Sequence, residues 1–126
     1  MKRALLLALI SLSASQPAAA EEEVYRFRGS ESRVSGEFEV QAPWVLDWRV
    51  TTDGVFDAAV EVSLEQAGTG VHQGRVLMTK SAGNGVRLFD QGGRFYFRID
   101  ASLANYTLVV KQLTPAEAEL YTPREP

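Results

Sequence analysis

The most regular feature of the chain is an alternation of apolar and polar positions with a period of two, clearest over residues 92–113. Phe95, Phe97 and Ile99 alternate with Arg94, Tyr96, Arg98 and Asp100, which marks a strand with one dry face and one wet face. After Ala101 to Asn105, Tyr106, Leu108 and Val110 alternate with Thr107, Val109 and Lys111, and the pattern predicts a second strand laid beside the first. The same rhythm runs through the earlier chain. Tyr25 and Phe27 share a face over 24–28, and Phe38 and Val40 share one over 38–41. Beyond Pro43, which interrupts the ladder, Trp44, Leu46, Trp48 and Val50 stand opposite Val45, Asp47, Arg49 and Thr51. Because both tryptophans are in phase with Leu46 and Val50, they read as core rather than as ligand platforms. Phe56, Ala58, Val60, Val62 and Leu64 define a strand over 55–65, entered through an Asp53-Gly54 hairpin signal. Val76 and Met78 mark another over 75–80, which Asn84-Gly85 turns back into 86–89.

About eight short strands with little helical period predict an all-β fold, an antiparallel β-sandwich of jelly-roll type. The C-terminal end differs. Thr114-Pro115-Ala116-Glu117 has a capping residue, a proline at the first helical position and a glutamate placed to reach back, so a short helical turn is expected to about Tyr121. Such a turn persists only if it docks, and Leu120 and Tyr121 are the candidates to dock it. Residues 1–20 have a basic start at Lys2 and Arg3, an apolar run from Ala4 to Leu12 and small residues up to Ala20, the order of a secretory signal peptide. The expected organisation is therefore a leader over 1–20, a β-sandwich over 21–113, and a helical turn with a frayed tail over 114–126. The apolar run is about half of the roughly 20 residues a spanning helix needs, so no membrane anchor is expected and the product belongs in the periplasm or outside the cell.

Without Lys2 and Arg3 the basic count falls from 13 to 11 against 16 acids, a formal charge of −5, which argues against nucleic acid as a partner. There is no cysteine, so an exported domain of this size depends on its apolar core alone. Nucleophilic catalysis needs an activated Ser, Cys or Thr beside a base, and the single histidine, His72, lies in a glycine-rich stretch that reads as a solvated loop. A zinc site would need further His or Cys ligands. No catalytic residue, cofactor or assigned metal follows, although a loose calcium site of loop carbonyls with Asp53 or Asp90 stays open. Gly68 to Gly74 lacks the following helix that a phosphate loop requires. Asn105-Tyr106-Thr107 matches a glycosylation acceptor, which matters only in a eukaryotic secretory pathway.

The pattern Phe38-x-Val40-x-x-Pro43-Trp44-x-Leu46-x-Trp48, followed by Gly93-Arg-Phe95-Tyr-Phe97-x-Ile99 and Tyr106-Thr-Leu108-x-Val110-x-Gln112-Leu113, resembles the small exported, uncharacterised β-sandwich proteins of bacterial envelopes. The resemblance implies export and a sandwich fold, and it brings no catalytic residue to carry over. The leading expectation is a non-enzymatic binding module for a protein or envelope component. Its candidate surface is Val45, Arg49, Tyr96, Arg98, Val109 and Lys111, where apolar and basic side chains fall on the wet side of strands. The alternative is a carbohydrate-binding module, with Tyr96 or Trp44 as first suspects; an enzyme ranks third.

Overall fold

A computed structural model describes residues 21–54 and 57–121; the expected leader and the expected frayed tail lie outside the described residues. Nine strands follow in order: β1 (Glu22–Gly29), β2 (Arg33–Val34), β3 (Phe38–Val40), β4 (Trp44–Thr51), β5 (Ala59–Gln66), β6 (His72–Thr79), β7 (Gly83–Phe89), β8 (Gly93–Ser102) and β9 (Asn105–Gln112). They form two antiparallel sheets. One is four-stranded with order β1-β9-β4-β7; in the other, β2 and β3 both pair with β8, which is followed by β5 and β6. β2 and β3 act as one interrupted strand. Where the ladder breaks, Ser35 N donates to the Phe97 carbonyl at 2.9 Å and Phe97 N donates to Ser35 Oγ at 2.9 Å, so the serine hydroxyl replaces a missing rung. Counted that way the eight strands have the jelly-roll arrangement, a β-sandwich as the alternation predicts.

The two inner faces meet in one core. Trp44, Leu46, Val60, Val62, Phe97, Ile99, Leu108 and Val110 are all buried within it. Trp44 stacks on Phe89 with ring centroids 4.1 Å apart, and its Nε1 donates to the Gln91 carbonyl at 2.8 Å, so its one polar atom is satisfied. Tyr106 is also buried but keeps a polar handle: its hydroxyl donates to the Glu31 carbonyl at 2.7 Å, and burial raises the phenol pKa. Gly29 makes room for that ring, since a Cβ there would lie 2.6 Å from the hydroxyl.

Strand pairing departs from the sequence-based expectation in three places. β8 and β9 do not pair; β8 belongs to the five-stranded sheet and β9 to the four-stranded one, so their apolar faces meet across the core. Nor do β4 and β5 form a hairpin through Asp53-Gly54, because that connection carries the chain from one sheet to the other. Asn84-Gly85 is not a turn but part of β7, where Gly85 sits opposite Trp48. The reason is steric: a Cβ at Gly85 would lie 2.9 Å from Trp48 Cζ2.

At the C-terminal end the capping motif forms as the sequence predicts. Thr114 Oγ1 accepts from Glu117 N at 3.1 Å and the Glu117 carboxylate accepts from Thr114 N at 2.8 Å, opening α1 (Pro115–Ala118) and a 3-10 turn over Glu119–Tyr121. Of the two residues expected to dock it, Tyr121 does so, its hydroxyl bonding the Glu21 carboxylate, while Leu120 is 75% exposed.

Candidate functional site

The alternation that buries Tyr25 and Phe27 turns Arg26 and Arg28 outward from β1, and the same rule turns Asp47 and Arg49 outward from β4 and Thr107, Val109 and Lys111 from β9. Register assembles these into cross-strand rows. One row runs Arg26, Val109, Asp47, Val86; the next runs Arg28, Thr107, Arg49, Asn84. The β1, β9 and β4 members of these rows, with Trp48 and Lys111, line a groove of about 370 Å³ along the outer face of the four-stranded sheet.

Charge is distributed unevenly along the groove. At one end Arg26 is held by Glu23 in two hydrogen bonds of 2.8 and 3.0 Å, which keeps the Glu23 carboxyl below its usual pKa range. Lys111 reaches Asp47 at 3.3 Å and Glu21 at 3.5 Å. Partial burial opposes the Lys111 ammonium, but the two carboxylates outweigh it and raise the pKa. Glu21 also accepts from Tyr121, whose phenol is pushed up to about 12, first by burial and then by that carboxylate. At the other end, Arg28 and Arg49 are exposed and neither enters an ion pair among the described residues.

The six residues singled out from the sequence therefore divide. Val45, Arg49, Val109 and Lys111 do share the outer face of the four-stranded sheet, but Tyr96 and Arg98 lie on β8, on the outer face of the other sheet. Val45 and Val109 are also not wet, being 0% and 7% exposed. Val109 is the floor of the groove, and Val45 stands opposite Lys111 at the end over which the Tyr121 turn returns. Arg26, Arg28 and Thr107 complete the groove. Their signal was present in the alternation, but joining β1 to β9 needs the pairing.

His72 is not a loop residue. It begins β6, and its Nδ1 lies 2.9 Å from Glu65 Oε2, with side-chain exposures of 60% for the histidine and 7% for the glutamate. Trp48 faces inward as expected but is only partly buried, packing against the core near the edge strand β7. A wider depression of about 750 Å³ beside β3 and α1 is lined by Glu22, Glu23, Glu39 and neutral residues. Among the described residues no group of three or more His, Asp or Glu gathers to hold a metal, and no helix is long and apolar enough to cross a membrane.

Neither a protein-family model nor a curated protein matches this chain. Among solved structures it is similar to a carbohydrate binding module (CBM6cm-2) from Cellvibrio mixtus lichenase 5A, solved in complex with cellotriose. That match has 11% identity and a TM-score of 0.38, and covers 78% of this chain and 88% of the other.

Proposed function

We propose that this chain is a non-enzymatic β-sandwich binding module, exported to the periplasm or beyond the cell, that engages a partner protein or envelope component through the outer face of its four-stranded sheet. The observation that carries the reading is the groove over β1, β9 and β4, where two exposed arginines have no ion-pair partner among the described residues and stand beside the apolar floor at Val109. Binding by stacking on a sugar is the second reading. It is less well supported, because Trp44 is fully buried and Trp48 packs on the core, which leaves Tyr96 half-buried on the opposite sheet.

Retention of envelope components on the immobilised 21–126 chain tests the reading. Arg49→Glu should abolish retention of a specific component, and Arg98→Glu, on the other sheet, should leave it intact. The reverse ranking refutes the assignment of the face. Mass measurement of the product from its native host tests export, with a chain beginning at Glu21 as the expected result and a full-length product as the contrary one.

A further inference from the structure

The free end of the groove has a chemistry of its own. Thr107 is the central residue of a row in which Arg28 pairs with it from β1 and Arg49 pairs with it from β4. Neighbouring strands lie about 4.8 Å apart, so the two arginine backbones stand about 10 Å apart with the threonine hydroxyl between them. Guanidinium groups on stems of that length can both lean over Thr107. Asn84 extends the row past Arg49, and the next outward row is Asn105 beside Thr51. These two rows contain hydrogen-bond donors and two positive charges, and no acid. The contrast lies within the same groove, where Arg26 and Lys111 are each matched to a carboxylate of this chain.

Two like charges on the same row, with no counter-charge paired to either among the described residues, repel each other, and a shared anion between them removes that cost. Guanidinium forks suit planar or tetrahedral oxyanions, which accept two parallel N–H bonds from each, and a hydroxyl between the forks adds a third donor. We propose that Arg28, Thr107 and Arg49 form an oxyanion site that takes one carboxylate, phosphate or sulfate group. This deepens the reading of the same face, and states what that face recognises. The same chemistry could arrive as a free ion, on an acidic saccharide or on a lipid headgroup.

The test is an NMR titration of the 21–126 chain with inorganic phosphate at low ionic strength, reading the amide of Thr107 and the Nε–H signals of Arg28 and Arg49. The expected result is a saturable shift confined to these residues, weakened tenfold or more in Arg28→Ala/Arg49→Ala and retained in Arg98→Ala, on the outer face of the other sheet. All three arginines are exposed, so the variants should fold. Shifts that do not saturate, that spread over every cation, or that survive the double substitution overturn the site. Parallel arms with galacturonate oligomers and with phosphatidylglycerol vesicles identify the carrier by which one binds tenfold more tightly than phosphate; if neither does, the ligand is the free ion. If phosphate fails to bind while Arg49→Glu still abolishes retention of an envelope component, the oxyanion site falls and the face assignment stands.

Discussion

Gly85 and Trp48 offer a stability test whose sign depends on their contact. An alanine Cβ at Gly85 would lie 2.9 Å from Trp48 Cζ2 and 3.1 Å from Cε2 and Nε1, so the indole must shift. Overpacking of this kind costs about 1–3 kcal/mol, while replacing a strand glycine by alanine returns about 0.5–1 kcal/mol through lower unfolded-state entropy. Gly85 is not at a positive φ, so its backbone accepts alanine without strain. Gly85→Ala should therefore lower stability by up to about 2.5 kcal/mol. Trp48→Ala should cost about 2–3 kcal/mol, less than the roughly 3–5 typical of a fully buried tryptophan, because Trp48 only partly enters the core. In that background the clash is gone, and Gly85→Ala should become neutral or stabilising by about 0.5–1 kcal/mol. Urea unfolding of the four proteins, followed by circular dichroism, yields the coupling energy, expected at about 1–3 kcal/mol. Equal effects of Gly85→Ala in both backgrounds would refute the packing of the indole over β7.

Three further outcomes follow from particular contacts. His72→Ala removes the partner of the buried Glu65 carboxylate and should lower the urea midpoint by about 1–3 kcal/mol equivalent, with His72→Gln recovering part of it. Tyr106→Phe removes the bond to the Glu31 carbonyl and should cost about 0.5–1.5 kcal/mol; an unchanged midpoint would show that bond to be dispensable. Tyr121 ionises at about 12 in the folded chain against an ordinary phenol value of 10, so its contribution is full below pH 10 and is lost as pH rises through 12. Stability measured over that window should fall less steeply in Tyr121→Phe than in the wild type.

Fold class was legible because the period of two is a local property: each strand carries its own record of which side is dry, as Phe95-Phe97-Ile99 and Tyr106-Leu108-Val110 show. The C-terminal cap was equally local, with Thr114 and Glu117 three residues apart. Pairing is not local. Nothing in the alternation of β8 and β9 distinguishes neighbours in one sheet from strands facing each other across a core, and the turn chemistry of Asn84-Gly85 gave way to the space that Trp48 needs. The candidate surface suffered from the same gap. Arg49 and Lys111 were placed correctly on an outer face, but Tyr96 and Arg98 belong to the other sheet, and Arg28 could join Arg49 only once β9 was known to lie between their strands. Val45 and Val109 are buried on a nominally wet face, where register sets the side chains of Lys111, Arg26 and Asp47 beside them, and no period reports that.

The central claim, that the outer face of the four-stranded sheet is the binding surface, is tested most directly by site-specific photocrosslinking in the native host. A photoreactive residue at Thr107, in the groove, is compared with one at Ser63, on the outer face of the opposite sheet. The account predicts a discrete adduct from position 107 that Arg49→Glu abolishes, and none from position 63. An adduct from position 63 alone would contradict it.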